Sequence, residues 1–199
     1  LLFRGFYPRI YDAGIDPGRL FPVRSVTDPQ RFIHAEPDPR LRSEFGIPED
    51  AVVVGNVGYL VPHKDHENLL EAISIVKREV PNVYVVIVGS GPLRSEVEDK
   101  ARQLRIRNRL VLTGFREDVP QLIKMFDVFA LSSSEEGIAS VLFEVMACEK
   151  PIVATRAAGV REAVLDGQTG ILVPIKDPRA LAEAILKLIR EPEVTQRYA

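Results

Sequence analysis

Six short apolar runs, separated by helical patterns, are the feature that most limits how this chain can fold. Their residues are apolar on both faces, as in buried parallel strands. Between them apolar side chains recur at helical spacing, and further helices are predicted near 118–126, after Ser140, near 159–165 and over 178–190. The pattern predicts an α/β fold, a Rossmann-like doubly wound parallel sheet with helices on both faces. The runs are A-V-V-V-G-N-V (51–57), V-Y-V-V-I-V (83–88), R-L-V-L-T-G (109–114), D-V-F-A-L (127–131), P-I-V-A-T (151–155) and G-I-L-V (170–173).

The pattern changes near residue 50. Residues 1–50 lack sustained periodicity and hold seven of the fifteen prolines. We interpret them as a connector and the end of a missing N-terminal domain, with a strand at 20–26. Residues 51–199 are predicted to form the Rossmann-like domain. Because Leu1 is not a start methionine, we expect the chain to be an excerpt.

Bulk composition is that of a globular protein and excludes few functions. The net charge of -2 gives no general attraction to nucleic acid or acidic membranes. The one cysteine, Cys148, cannot form an internal disulfide. The aliphatic run at 83–88 is too short to cross a bilayer. We expect a cytoplasmic protein without a transmembrane segment, and peripheral membrane association of the full-length protein is left open.

Ligands of doubly wound sheets bind beyond the carboxyl ends of the strands, where helices begin. The loop at 132–140 is the most informative, since it carries Glu136 and Gly137 before a helix that begins near Ser140. The N–H groups of Ser140 and Val141, with the helix dipole behind them, would bind an anion.

Two acids flank this helix start. Glu144 lies one turn inside the helix, where a carboxylate can accept hydrogen bonds from two ribose hydroxyls, and Glu136 could reach a sugar beyond the phosphates. The alternative, a solvated Glu136 and a Glu144 paired with an arginine, stays open on chemistry alone.

Other motifs are weaker. V-G-S-G-P (88–92) lacks the third glycine of a dinucleotide fingerprint. His63 and Glu67 lack a third metal ligand, so we interpret this segment as a solvated helix start with Asp65 near the N-cap. No D-x-D pair is present to clamp a metal and a diphosphate. A basic cluster is interpreted as a solvated helix face, with nucleic-acid binding as the weaker alternative. It comprises Lys100, Arg102, Arg105, Arg107 and Arg109.

A set of motifs in fixed order resembles the retaining glycosyltransferases of family 4, which have the two-domain GT-B fold. E-G-I-A-S-V-L-F-E (136–144) resembles their E-x7-E segment, and V-G-Y-L-V-P-H-K (57–64) resembles their G-R-L-x-x-x-K-G segment. V-G-S-G-P-L-R (88–94), L-T-G-F-R-E-D-V (112–119) and the stretch at 157–173 match further segments. The resemblance covers roughly residues 10–199.

The resemblance implies that residues 51–199 form a nucleotide-sugar-binding domain, in the donor-binding half of an enzyme that transfers sugar from a nucleoside-diphosphate sugar. It assigns Lys64 to the diphosphate, Glu136 to the donor sugar and Glu144 to the ribose, with Lys64 and Glu136 as the catalytic pair. The resemblance also places Gly137, Ser140 and Val141 against phosphate, and Phe115 and Arg116 beside the base. It implies no metal and no cofactor besides the sugar-nucleotide substrate. The acceptor is expected to bind mainly to the missing N-terminal domain.

Three positions depart from the family pattern. Tyr59 stands where a phosphate-binding arginine is usual, V-R-S-V-T (23–27) replaces a common hinge sequence, and Glu149 stands where glycine is common. Tyr59 motivates an alternative function, a non-catalytic nucleotide-binding domain of the same fold. A second alternative is a GT-B-like nucleotide-sugar epimerase, for which we would expect a different set of acids and histidines.

Overall fold

The computed structural model describes Gly14, Asp16, residues 28–137 and residues 139–198. The strand predicted at 20–26 and the hinge segment at 23–27 lie outside these residues. Two short helices come first, α1 (Pro29–Ile33) and α2 (Arg40–Glu44). Neither helix is predicted by the sequence pattern, because five residues are too few to show a helical period.

The six strands predicted from the apolar runs are all present and form one parallel sheet. The order β3-β2-β1-β4-β5-β6 is that of the doubly wound nucleotide-binding fold, which confirms the predicted fold class. The strands are β1 (Val52–Val57), β2 (Val83–Val88), β3 (Leu110–Gly114), β4 (Val128–Leu131), β5 (Ile152–Thr155) and β6 (Ile171–Val173).

The helices between β1 and residue 190 occur where the periodicity predicts them, and the helix predicted over 178–190 has those bounds. The final helix, Pro192–Tyr198, was not predicted. Short 3₁₀ turns lie at Pro62–Lys64 and Arg107–Arg109. The helices are α3 (His66–Glu79), α4 (Arg94–Gln103), α5 (Val119–Met125), α6 (Ser140–Ala147), α7 (Val160–Ala163), α8 (Pro178–Arg190) and α9 (Pro192–Tyr198).

Each face of the sheet has its own apolar core. Side chains of α3, α4, α8 and α9 cover one face, where Val54 and Ile87 are fully buried. Side chains of α1, α2, α5, α6 and α7 cover the other, where Val53 and Phe129 are fully buried. Neighbouring strand residues thus point to opposite cores, which explains why the strands are apolar throughout.

The two early helices join the second core. Phe32 of α1 and Leu41 of α2 are buried there, and the Arg42 guanidinium donates to the carbonyl oxygens of Pro48 (3.0 Å) and Ala51 (2.9 Å). These contacts hold residues 28–50 against the sheet. The division of the chain near residue 50 stays a prediction.

Strand order places the expected binding crevice between β1 and β4. The chain leaves β1 toward β2 and β3 on one side, and passes from β4 to β5 and β6 on the other. At such a reversal the loops that follow the two central strands diverge and leave a crevice for a ligand. The loops after β1 and β4 carry Lys64 and Glu136.

Candidate functional site at the carboxyl edge of the sheet

The loop after β1 presents Lys64 at the start of α3. Lys64 ends the 3₁₀ turn, and Asp65 then adopts a left-handed conformation with φ of 47°. As predicted, Asp65 caps the following helix, since its carboxylate accepts from the Asn68 amide at 3.4 Å. The turn and the cap together fix the place where the Lys64 side chain leaves the backbone.

The glycine-rich turn after β2 supports this loop from beside it. The Gly58 amide donates to the Val88 carbonyl (2.9 Å) and the Leu60 amide to the Ser90 carbonyl (2.8 Å). A Cβ at Gly89 would overlap the Gly58 carbonyl, and one at Gly91 would lie about 2.5 Å from Leu60 backbone atoms. Close backbone packing therefore explains the two glycines of V-G-S-G-P, without a role in dinucleotide binding.

The loop after β4 is bonded to the Lys64 loop through backbone groups. The Ser134 amide donates to the His63 carbonyl at 2.8 Å, and the Ser132 hydroxyl donates to the Lys64 carbonyl at 2.9 Å. From β5, the Thr155 hydroxyl donates to the Ser133 carbonyl at 2.5 Å. Ser132, Ser133 and Thr155 are fully buried, so the bonds that the Ser132 and Thr155 hydroxyls donate are shielded from water.

Lys64 and Glu136 form an ion pair across the crevice. The Lys64 Nζ lies 2.5 Å from Glu136 Oε1, and the Ser133 hydroxyl donates to the same oxygen at 2.6 Å. The Lys64 side chain is 17% exposed and that of Glu136 7% exposed. Both residues were predicted site residues, but their direct pairing and the part played by Ser133 were not predicted. The hydroxyl-rich run Ser132–Ser134 was the available signal.

A buried polar pair lies below the crevice, between its two strands. The Asn56 side-chain amide of β1 donates to the Ala130 carbonyl of β4 at 2.7 Å. Its carbonyl oxygen lies 3.3 Å from His66 Nε2, which must then carry the proton. Burial, with smaller effects of Lys64 and His63, lowers the pKa of His66 to about 4. The imidazole is therefore neutral at physiological pH.

The helix that follows the Glu136 loop begins without a side-chain cap. Its first residue is Ser140, as predicted, and Ala139 at the N-cap position has no polar side chain to offer. Alanine is a poor N-cap, so a bound anion could satisfy amides at this helix end that no side chain caps. Glu144 is half-buried one turn further along α6.

A close backbone contact positions the turn at Glu136 and Gly137. The Gly159 amide, at the start of α7, donates to the Glu136 carbonyl at 3.1 Å. A Cβ at Gly159 would overlap the carbonyl group of Gly137. The turn is thus held from the β5 side as well as by Ser133.

The remaining predicted residues lie at the same edge of the sheet but differ in what they contact. Tyr59 is 57% exposed and Phe115 is 78% exposed, so both rings can contact a ligand. Arg116 instead forms ion pairs with Glu44 (2.6 Å) and Asp118 (2.6 Å). Its hydrogen bonds lower the pKa of Asp118. The guanidinium is therefore already shared between two carboxylates.

The basic cluster is largely paired with acids. Lys100 lies 2.5 Å from Glu71, Arg102 lies 2.5 Å from Asp99, and the Arg109 guanidinium stacks 4.8 Å from the Tyr84 ring centre. Such pairing is typical of a solvated face, the interpretation we favoured.

The residues that the structure describes contain no group of three or more His, Cys, Asp or Glu side chains arranged to bind a metal ion. None of the helices in these same ranges is both long and apolar enough to cross a bilayer.

The fold and the crevice define a Rossmann-like α/β domain. The model of the family called Glycosyl transferases group 1 matches residues 37–199. The chain belongs to this family.

Named relatives and a solved structure agree with this assignment. The chain is 30% identical over 189 residues to the putative glycosyltransferase EpsD of Bacillus subtilis, covering 95% of this chain and 47% of EpsD. It is 35% identical over 178 residues to the GDP-mannose-dependent alpha-(1-6)-phosphatidylinositol monomannoside mannosyltransferase of Mycolicibacterium smegmatis, covering 83% of this chain and 46% of that enzyme. HepE of Anabaena, solved in complex with UDP-glucose, superposes with a TM-score of 0.85 at 27% identity, covering 96% of this chain and 53% of HepE.

This chain spans about half the length of these three proteins.

Proposed function

We propose that this chain is the donor-binding half of a metal-independent, retaining glycosyltransferase of family 4 that acts in the cytoplasm. In this proposal the whole enzyme transfers a sugar from a nucleoside-diphosphate sugar to an acceptor. Family membership supports sugar transfer, and the UDP-glucose bound to HepE supports a sugar nucleotide as the donor. The E-x7-E resemblance supports retention, and the missing D-x-D pair supports metal independence.

One observation carries the proposal. A lysine and a glutamate that lie 72 positions apart in sequence meet at the topological switch point, next to the uncapped start of α6. Ligands of doubly wound folds bind at this place. A cation and a helix N-terminus side by side suit a diphosphate.

Each side chain has a chemical task in this proposal. Lys64 and the first amides of α6, at Ser140 and Val141, neutralise the diphosphate. Glu144 accepts from the ribose hydroxyls, while Glu136 accepts from hydroxyls of the transferred sugar. These contacts hold the donor in one orientation, so that its reacting carbon faces the acceptor.

The base would be held near β3. Phe115 offers an exposed ring on which a base can stack. We assign Arg116 a supporting role there, because its guanidinium is already bonded to Glu44 and Asp118. The acceptor would bind mainly to the N-terminal half of the enzyme, so we expect this chain alone to bind donor but transfer no sugar.

A second candidate function is nucleotide binding without catalysis. Tyr59 favours it, since a tyrosine hydroxyl can donate one hydrogen bond to a phosphate but brings no positive charge. Sugar transfer by the full-length protein, with its N-terminal half in place, would exclude this candidate. A full-length protein that binds sugar nucleotide but shows no turnover would favour it.

Calorimetric titration of the chain with UDP, GDP, ADP and CMP tests the donor site. We expect one nucleoside diphosphate to bind clearly more tightly than its nucleoside, because Lys64 and α6 contact only the phosphates. Equal affinity for nucleoside and nucleoside diphosphate, or binding of neither, would contradict the proposal. Repeating the tightest titration with EDTA present tests metal independence, for which the expected affinity is unchanged.

A further inference from the structure

The ammonium group assigned to the diphosphate is already paired in the ligand-free protein. Among the residues that the structure describes, Glu136 is the acid that forms an ion pair with Lys64. Two donors converge on Glu136 Oε1, the Lys64 ammonium at 2.5 Å and the Ser133 hydroxyl at 2.6 Å. Ser133 is fully buried and bonded through its carbonyl to Thr155, so it cannot follow a displaced carboxylate. Glu136 is thus anchored where a phosphate would need to approach.

A diphosphate at Lys64 therefore meets two obstacles. It must share or take an ammonium that a carboxylate already holds. It must also place its negative charge near that carboxylate, whose side chain is only 7% exposed and is weakly screened by water. Both effects weaken the binding of a bare nucleoside diphosphate. Glu136 thus competes with the diphosphate for Lys64, as a bound inhibitor would.

A nucleotide that still carries its sugar offsets this weakening with new hydrogen bonds. Sugar hydroxyls donate hydrogen bonds, and a carboxylate that gives up an ammonium can accept them instead. The donor thus supplies Glu136 with new partners, whereas the nucleoside diphosphate left after transfer supplies none.

We propose that Glu136 discriminates between donor and product by competing with the diphosphate for Lys64, so that the product binds weakly and leaves. This inference rests on the proposed function, since it assumes that a nucleoside diphosphate occupies the crevice. It reverses the simplest expectation for Glu136, because removal of a binding residue should here improve the affinity for one ligand.

Calorimetry with Glu136→Gln tests this competition. Glutamine keeps the shape and an oxygen for Ser133 but removes the charge. We expect the affinity for UDP, GDP or ADP, whichever the unaltered chain prefers, to rise about tenfold. Tenfold corresponds to about 1.4 kcal/mol, near the lower end for a charged hydrogen bond. The affinity for the matching sugar nucleotide should stay constant or fall, so that the preference for donor over product shrinks.

The neighbouring residue provides a matched control. Glu135 is exposed and one position away, so Glu135→Gln removes the same charge without touching Lys64. We expect it to change nucleoside-diphosphate affinity less than twofold. An equal gain in both variants would show a general charge effect and would overturn the competition.

Further outcomes separate the two proposals. Unchanged or weaker nucleoside-diphosphate binding by Glu136→Gln, with binding by the unaltered chain intact, overturns the competition and leaves the proposed function standing. Absence of binding by both proteins overturns both proposals. Glu136→Ala, checked for folding by its melting temperature, repeats the test without an amide, and we expect the same gain.

Discussion

Replacement of Lys64 by methionine separates the structural role of the ion pair from its role in binding. The change keeps an unbranched side chain but leaves the Glu136 carboxylate without its cation. Loss of one partner from a buried pair typically costs about 3–5 kcal/mol. Lys64 is 17% exposed and Glu136 keeps its bond to Ser133. We therefore expect a smaller loss in the free energy of unfolding, about 2 kcal/mol.

The double variant Lys64→Met/Glu136→Gln should recover most of this stability, because no unpaired charge remains in the crevice. Its affinity for a nucleoside diphosphate should stay low. Loss of a charged hydrogen bond to phosphate costs at least about 1.5 kcal/mol. Nucleoside affinity should not change, since a nucleoside carries no phosphate for Lys64 to bind.

Urea denaturation followed by circular dichroism measures the stabilities of the single and double variants. Calorimetry measures their affinities for UDP, GDP or ADP and for the corresponding nucleoside. A double variant as unstable as Lys64→Met would refute the claim that the unpaired carboxylate causes the loss. An equal fall in nucleoside and nucleoside-diphosphate affinity would refute the assignment of Lys64 to the phosphates.

Three further outcomes are expected. Glu144→Gln should weaken nucleotide binding by about 1–3 kcal/mol in calorimetry, and should weaken a 2′-deoxy nucleotide less, because one of two hydroxyl bonds is already gone. His66 has a pKa of about 4 when folded and 6.5 when unfolded, so only the unfolded chain gains its proton between these values. The free energy of unfolding should therefore fall by up to about 3 kcal/mol as the pH falls from 6.5 to 4. In urea titrations His66→Gln should flatten this pH dependence, whereas the control His34→Gln, at an exposed position, should leave it in place. Glu149 has a φ of 55°, so Glu149→Gly should stabilise the fold by about 0.5–1 kcal/mol and raise its melting temperature. An unchanged melting temperature would contradict this reasoning.

The layout of the sheet was predictable because most residues of the central strands are buried on both faces of the sheet and are therefore apolar. The long helices were predictable because an amphipathic face repeats several times along them. The departure at Glu149 has a structural reason that the sequence did not show, since its backbone is left-handed and glycine, the residue common there in the family pattern, adopts that conformation without strain.

The chemistry of the crevice was only partly predictable. The sequence and its resemblance named Lys64 and Glu136, yet their contact depends on how two loops 72 positions apart fold over the sheet edge. The same holds for the bond between Asn56 and His66. A polar residue inside an apolar strand indicates a buried partner but does not identify it. The resemblance assigned Arg116 to the base, but its ion pair with Glu44 could not be foreseen, because Glu44 lies in a helix too short to predict.

The bonds between the loops after β1 and β4 have a consequence for protein engineering. Ser132 and Ser134 hold the backbone carbonyls of Lys64 and His63, so the geometry of either loop depends on the other. A chimera that takes one of these loops from a relative would keep the ligand-binding side chains of that loop. It would lose the hydrogen bonds to the other loop that hold those side chains in place. An exchange of donor preference should therefore replace both loops together. The glycine turn at 88–92 should be exchanged with them, because it packs against the loop after β1.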